Sequence, residues 1–382
     1  MKTRGVAIIV MLILAASTVS FAGAATQAEI LVVVQGKNIE FSKAVGMPFI
    51  DDNGRTQIPL RVVAESVGCS VEWDKVSRSA IITSGDISLI MPLNDEHILM
   101  NGHDCLIDTC AQIKENRTYI PARILFEALG YDVAWDAGKK VIKIEKMSKS
   151  EKGEYLKSLG FSKLKKGDKI FFGHYEQDGN LANGNEPIEW KVVKTEDEKA
   201  FLLSEKILFS EPFKENVPDV VNGVIVGTGL GGGGPITWID STLRKDLNCS
   251  FINEAFSSKE RLCIPYVLND NEEMTSYLDV WWHRTGEATF DKAFCITQEE
   301  VESLLDDSER SATPTIYATS RLEDEGLIVP KEDNYIKWWL RSPTRYDWGS
   351  VAVGSEGYIG TYRYNYVNIG VRPAIWVYMV DE

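Results

Sequence analysis

The sequence predicts an α+β protein in which a duplicated strand–helix–strand–strand module precedes a second α+β domain built from short mixed strands. Three observations lead to this prediction. The first half repeats itself at an offset of 62 residues, eight of the ten tryptophans lie in the second half, and glycines divide the C-terminal apolar stretch into short runs. The length of 382 residues fits two or three domains.

The first 24 residues have the pattern of a secretory signal peptide. Lys2 and Arg4 precede an apolar run from Val6 to Ala16, and the small residues that follow place the cleavage site after Ala24. A membrane anchor is the weaker alternative, because spanning a bilayer takes about 20 apolar residues. We therefore expect an extracellular or cell-surface protein with no membrane insertion after signal cleavage.

The repeat in the first half aligns without gaps over residues 55–74 and 117–136. Ten of the twenty aligned positions are identical, which is far above chance, and such repeats identify structural units. The identical residues are Arg55, Thr56, Ile58, Pro59, Arg61, Glu65, Gly68, Val71, Trp73 and Asp74, matching Arg117, Thr118, Ile120, Pro121, Arg123, Glu127, Gly130, Val133, Trp135 and Asp136. Because both copies share them, we interpret the arginines of the helices and the tryptophans as structural residues rather than ligand contacts.

Each copy has the local signals of a short helix between strands. Pro59 and Pro121 fit the first helical position, where the missing N–H leaves no donor unbonded. Apolar residues follow at helical spacing, and Gly68 and Gly130 supply a left-handed helix end. A strand with a Trp-Asp pair, a turn and a second β-rich run complete each unit, so we expect the helix to cover one face of a sheet.

These residues, read as the pattern NGRTxIPLRxxAExxGxxVEWD, resemble the copper amine oxidase N-terminal-like domain found in many exported Firmicutes proteins. The resemblance covers residues 30–146 and implies an α+β accessory module without oxidase activity. A copper amine oxidase needs three histidine ligands and a precursor tyrosine in an Asn-Tyr-Asp/Glu setting. The four histidines form no His-x-His pair and neither Asn-Tyr dipeptide precedes an acid, so we expect no cofactor.

Residues 147–166 are predicted to link this module to a second domain at 167–382. The segment is rich in Lys, Ser and Glu and poor in branched apolar residues, which indicates a solvated hinge with one short helix. In the second domain, helices are predicted from Ser241 toward Phe256 and after Thr297, which begins a capping box. Strand-like runs cover 169–175, 188–193 and 200–207, and short strands return over 338–380.

The second half resembles an uncharacterised bacterial family, domain of unknown function 6273. The resemblance rests on GDKIFFGHYEQD, NEPIEWKVV, LLSEKIL, STLRKDLN and AFS and on the closing pair WWLRSP and GVRPAIWV, all in the family's order. It covers residues 165–380. The layout is similar to the C-type-lectin-like fold of formylglycine-generating enzymes and of variable phage and bacterial binding proteins, which implies a lectin-like recognition domain.

No catalytic motif is complete in the sequence. The glycine run from Gly227 to Gly232 matches G-x-G-x-x-G, but more glycines and Pro235 follow in place of a helix, which indicates a loop. Formylglycine-generating enzymes use a late pair of reactive cysteines, whereas no cysteine follows Cys295. The 56 acidic residues offer too many carboxylate pairs for glycosidic chemistry to be judged from sequence. We predict no catalytic residue.

Metal ligation is not predicted either. Neither Cys-x-x-Cys nor His-Glu-x-x-His occurs. Glu186-Pro187 is followed by Ile188 rather than by the asparagine of a lectin-type calcium motif, and no Trp-Asn-Asp is present. These departures argue against calcium-dependent sugar binding of the lectin type.

Six cysteines remain after signal cleavage, which allows up to three disulfides in an exported protein. Cys105 with Cys110, and Cys249 with Cys263, are the local pairs. Six in so long a chain is sparse, however, and large domains do not need such cross-links. Buried free thiols are therefore an equal alternative.

The segment 346–368 is the strongest candidate for ligand binding. It is rich in Tyr, Trp, Ser, Gly, Asn and Arg, the composition of antibody paratopes, and its rings also suit stacking on sugars. Strand alternation would place Tyr362, Tyr364 and Tyr366 on one face; packing of these tyrosines in a small β core is the alternative. The predicted ligand-binding residues are Tyr346, Trp348, Tyr358, Tyr362, Arg363, Tyr364, Asn365, Tyr366 and Asn368.

These observations predict a secreted or cell-surface, non-catalytic protein that binds an extracellular glycan, a cell-wall polymer or a protein ligand. The formal net charge of −15 argues against nucleic acid as a partner, because binding phosphates needs clustered Lys and Arg. The alternatives are an exported enzyme, either a carbohydrate-active hydrolase or a modifying enzyme of the formylglycine type, and a structural component of the envelope.

Overall fold

The computed structural model describes residues 29–215, 220–221, 224–225, 237–271, 287–324, 336–344 and 349–380. Within these ranges the protein is a mixed α+β structure with several sheets, as the sequence predicts. The expected signal segment, the glycine run, Tyr346 and Trp348 lie outside the described residues. No helix in the described ranges is both long enough and apolar enough to cross a bilayer.

The N-terminal half contains two four-stranded sheets and most of a seven-stranded one. In spatial order, the first sheet contains Tyr131–Asp136, Val141–Lys146, Leu31–Val34 and Lys37–Asn38, and the second contains Gln112–Lys114, Arg117–Pro121, Thr56–Pro59 and Phe49–Ile50. The seven-stranded sheet contains Val267–Asn269, Thr289–Asp291, His103–Leu106, His97–Met100, Ile87–Pro92, Ser79–Ser84 and Ser70–Asp74. The order strand, helix, strand, strand occurs over 56–84 and over 117–146, with helices at Leu60–Ser66 and Ala122–Ala128.

The two short helices begin and end close to the predicted positions. Gly68 and Gly130 have φ of +81° and +79°, which confirms the predicted left-handed helix ends. Pro59 and Pro121, expected as first helical residues, instead cap the helices with extended ψ of 111° and 124°. The proline φ near −61° suits both positions, and the extended ψ allows each proline to end the preceding strand.

Two five-stranded sheets form the body of the C-terminal half. The first contains Lys169–Tyr175, Glu186–Glu196, Lys199–Ser204, Ala374–Tyr378 and Ala293–Phe294, and all its neighbours are antiparallel. The second contains Phe209–Ser210, Gly370–Val371, Trp338–Trp339, Gly349–Val353 and Ile359–Arg363. A separate hairpin pairs Val220–Val221 with Val224–Ile225.

The helices of the C-terminal half connect and cover these sheets. A single helical stretch runs through Thr242–Lys245, a π-helical segment Asp246–Phe251 and Ile252–Ala255. Thr297 and Glu300 form the predicted capping box at the start of Gln298–Leu304. The remaining helices are Lys149–Ser158, Ser258–Cys263, Asp307–Arg310 and Ile316–Asp324.

Residues 147–166 differ from the solvated hinge that the sequence predicts. The segment contains the helix Lys149–Ser158, begun by a capping box at Ser148. Leu156, Phe161 and Leu164 are buried in the apolar core of the C-terminal half. The Val380 N–H donates to the Phe161 carbonyl at 3.0 Å, so this segment packs as part of the C-terminal domain rather than as a linker. Tyr155 and Leu159 are partly buried against the same core.

The two halves share a sheet and a buried ion network. Thr289 lies opposite Asp104 in the parallel pairing that adds two C-terminal strands to the N-terminal sheet. Next to this pairing, the fully buried Arg244 donates to Asp104 Oδ1 at 2.6 Å and to Asp291 Oδ1 at 2.7 Å. Asp291 also accepts from Trp238 Nε1 at 2.9 Å. Each charge is therefore compensated where the halves meet.

A second buried cluster of charges lies at the same junction. Glu127 accepts from Arg261 at 2.8 Å and lies 3.4 Å from Lys292 Nζ. The equivalent Glu65 of the first copy is exposed and has only the Arg61 side chain as its ionic partner among the described residues. Identical residues of the repeat thus have different environments, because Glu127 packs against Arg261 and Lys292 of the C-terminal half whereas Glu65 faces solvent.

Candidate ligand-binding surface

The structure separates the predicted ligand-binding residues into exposed and buried ones. Tyr358 is 76% exposed and Tyr366 is 43% exposed. Arg363 and Asn368 are exposed as well, whereas Tyr362 and Asn365 are half-buried. We define the tyrosine surface by the predicted ligand-binding residues that reach solvent: Tyr358, Tyr362, Arg363, Asn365, Tyr366 and Asn368.

The position of Tyr364 contradicts the prediction that Tyr362, Tyr364 and Tyr366 share one exposed face. The strand Ile359–Arg363 ends just before Tyr364, and the chain then turns, with the Tyr366 N–H donating to the Arg363 carbonyl at 3.1 Å. The Tyr364 side chain is buried in the C-terminal core. Strand alternation holds only while the backbone stays extended, so Tyr364 is a core residue and not a ligand contact.

Tyr362 is held in place by two glycines. A Cβ at Gly360 would lie 3.4 Å from the Tyr362 ring, and one at Gly354 would lie 3.3 Å from its hydroxyl. The Lys337 ammonium lies 5.3 Å from the ring centroid, within the range of a cation–π contact. The ring is therefore ordered against backbone, and a fixed ring contacts a ligand at little cost in side-chain entropy.

A second surface feature, which sequence reasoning missed, is a cleft of about 520 Å³ beside the first hairpin of the C-terminal domain. Phe171 lines it and is 66% exposed, and Ile316 adds a second exposed apolar side chain. Phe171 lies in the strand Lys169–Tyr175, whose register against the next strand shifts between Phe171 and His174. The Phe171-Phe172 pair in the sequence could have indicated an exposed aromatic ring at this position. Sequence alone, however, does not say which of the two rings faces solvent.

Three carboxylates lie together at the edge of this cleft. One oxygen each of Glu176, Asp178 and Glu186 lies within 4.8 Å of the other two, the spacing of a possible cation site. Asp178 and Glu186 also line the cleft. The hydrogen bond from the Asn180 amide lowers the pKa of Asp178, which keeps that carboxyl ionised.

The thiols offer weak nucleophiles. All six cysteines are free, so neither local pair is joined by a disulfide. Burial raises the pKa of Cys249, Cys263 and Cys295 to about 12 and also raises that of Cys105. Because the thiolate is the reactive form, these four side chains are poorly suited to cysteine catalysis.

Comparison with protein families matches the two halves to two families. Residues 33–144 match the copper amine oxidase N-terminal domain, and residues 197–379 match a domain of unknown function, DUF6273. The chain carries both domains. The tyrosine surface lies within the DUF6273 match, whereas the hairpin with Glu176, Asp178 and Glu186 precedes it. A search of curated proteins finds no match to the chain.

Proposed function

We propose that this is an exported, non-catalytic binding protein whose DUF6273 domain recognises a glycan, a cell-wall polymer or a protein ligand through the tyrosine surface. The exposure of Tyr358 and Tyr366 carries the proposal, because exposed apolar surface rimmed by polar residues marks interaction sites. Arg363 and Asn368, also exposed, add hydrogen-bond donors beside the rings. Rings and adaptable polar groups together are the composition of recognition surfaces.

We also infer a C-type-lectin-like layout for the DUF6273 domain. In support, the last strand Ala374–Tyr378 pairs with Lys199–Ser204 in the middle of the first sheet. The last residues of the domain therefore lie beside its first ones, where Val380 contacts Phe161. The second sheet then carries the strand Ile359–Arg363 at its edge, which leaves the tyrosine surface open to a partner.

Export and the absence of oxidase chemistry are parts of the same proposal. Lys2, Arg4 and the apolar run after them support export. The amine oxidase name implies copper bound by three histidines, but the chain has four histidines in no such motif. Of these, His97 already bonds Asp104 at 2.7 Å. We assign the N-terminal domain an accessory role that positions the binding domain.

The test is retention of the full chain on purified cell walls and on an array of neutral and charged glycans. We expect the double variant Tyr358→Ala/Tyr366→Ala to lose binding by about tenfold or more while its thermal melt stays unchanged. Phe171→Ala is the matched control, a ring on the other surface whose exposure lies between those of Tyr358 and Tyr366, and it should bind as wild type does. Loss of binding in Phe171→Ala with full retention by the double variant would assign the ligand to the cleft instead. Failure of the wild type to bind any of these probes would overturn the glycan and cell-wall assignment.

A further inference from the structure

The hairpin that opens the C-terminal sheet brings three acidic side chains together. Glu176 directly follows the strand Lys169–Tyr175, and Glu186 begins the next strand opposite Tyr175. Asp178 lies in the loop between them. One carboxylate oxygen from each acid lies within 4.8 Å of the oxygens of the other two. Like charges this close repel one another unless a bound cation or a shared proton compensates them.

Glu176 is the unusual member of the cluster. It is only 5% exposed. Its Oε1 accepts from the Gly179 N–H at 2.7 Å, but its buried Oε2 has no hydrogen-bond partner. In the part of the chain that the structure describes, no lysine or arginine forms an ion pair with any of the three acids. A buried carboxylate oxygen without a partner is costly, so it points to a ligand that binds there.

The backbone and amides around the cluster fix the other two carboxylates. The Gln177 N–H donates to Glu186 Oε2 at 2.7 Å. Asp178 Oδ1 accepts from the Asn180 N–H at 2.7 Å, and Asp178 Oδ2 accepts from Asn183 Nδ2 at 2.7 Å. The loop is thereby shaped around the acids before any ligand binds, which lowers the cost of binding.

We propose that Glu176, Asp178 and Glu186 bind one calcium ion at the edge of the cleft. The donors are all carboxylate oxygens, the ligands of hard cations, and no nitrogen or sulfur ligand belongs to the cluster. Calcium holds oxygens at about 2.3–2.6 Å, so two ligands of one ion lie up to about 5 Å apart, which spans the spacing found here. Magnesium usually keeps several of its waters and is held by one or two carboxylates, so a group of three carboxylates favours calcium.

The site differs from the lectin-type motif considered in the sequence. It uses Glu186 without a following asparagine, and its deepest ligand is Glu176, which no motif identified. The loop is tied to the rest of the domain because the Tyr317 N–H donates to the Gln177 carbonyl at 3.0 Å. Calcium bound here would stabilise the hairpin loop and bring positive charge to the rim of the cleft that Phe171 lines.

Calorimetric titration of the metal-free full chain with CaCl2 and with MgCl2, at physiological ionic strength, tests the site. We expect one calcium per chain, magnesium binding weaker by about tenfold or more, and a melting temperature that rises with calcium. Glu176→Gln should weaken calcium binding by about tenfold or more and abolish the calcium-dependent rise in melting temperature. Glu189→Gln is the matched control, because Glu189 lies in the same hairpin but pairs with Lys169; its titration should equal that of the wild type.

The melting temperature without calcium separates ligation from a structural role of Glu176. Glutamine keeps an oxygen for the Gly179 N–H and removes a repelled charge, so the metal-free variant should melt no lower than the metal-free wild type. No calcium binding by the wild type would overturn the proposal. Equal calcium binding by wild type and Glu176→Gln would overturn it as well, because the ion would then bind elsewhere on this acidic chain.

Discussion

The fully buried Arg244 and the partly buried Asp104 form an ion pair across the junction of the two domains, with 2.6 Å between Nη1 and Oδ1. Arg244 belongs to the DUF6273 domain and Asp104 to the copper amine oxidase N-terminal domain. The Arg244 Nη2 group also donates to the Asp104 carbonyl at 3.1 Å. The pair lies beside the shared sheet, so it couples the packing of one domain to that of the other.

Arg244→Met should destabilise the chain by about 3–5 kcal/mol, because it leaves the fully buried Asp291 carboxylate without its cation. Urea unfolding measures the change. Lys245→Met is the control at the neighbouring position, where Lys245 pairs with Glu96 near the surface. That exposed pair should contribute about 1 kcal/mol or less. Equal losses in both variants would show that the buried pair has no special role.

His97 should make the stability of the junction depend on pH. The hydrogen bond to Asp104 raises the pKa of His97 above its ordinary value of 6.5. The stabilisation by protonated His97 is therefore complete below that ordinary value and is lost as the pH rises through the raised pKa. The difference in unfolding free energy between wild type and His97→Asn should be constant below the ordinary value of 6.5 and shrink as the pH rises through the raised pKa. A difference that stays constant with pH would contradict this expectation.

The two copies of the repeat allow a matched comparison of one substitution. Burial alone would raise the pKa of Glu127, but the Lys292 and Arg261 charges hold it below its ordinary value. Glu127→Gln leaves those two cations buried without their anion and should cost about 3–5 kcal/mol. Glu65→Gln, at the exposed equivalent position, should change stability by about 0.5 kcal/mol or less. Chemical denaturation of both variants measures the change in unfolding free energy. Similar losses of stability in the two variants would show that Glu127 is not in a buried, charge-paired environment.

The tyrosines of the C-terminal segment should differ in their contribution to stability. Tyr364→Ala removes a buried ring from the core and should cost about 3–5 kcal/mol. Tyr358→Ala removes an exposed ring and should cost about 0.5 kcal/mol or less. Thermal melts of the two variants measure this difference in stability. A larger loss for Tyr358→Ala would place that ring in a packed environment.

The thiols should react slowly with a disulfide reagent in the native protein. Five cysteines are buried, and Cys110 is the one with partial exposure. At about pH 8 we expect one fast-reacting thiol, absent in Cys110→Ser, and six reactive thiols after denaturation. Fewer than six in denaturant without reductant would reveal a disulfide in the exported protein.

The locally encoded features were predictable from sequence. The Thr297 capping box, the strand Lys169–Tyr175 and the left-handed Gly68 and Gly130 all appear as expected. Each depends on the backbone chemistry of a few neighbouring residues, such as a side-chain acceptor three residues before an acid or a φ that only glycine adopts readily. Such signals have the same meaning wherever the segment packs.

Burial and proximity were decided by the tertiary structure. Glu65 and Glu127 are equivalent in sequence, yet only Glu127 is covered by the DUF6273 domain. Tyr364 is buried because the strand ends one residue earlier and the chain turns inward. The sequence by itself determined the short elements, since these depend on local chemistry. Which side chains meet solvent, a cation or a partner charge depended on distant segments packing against them.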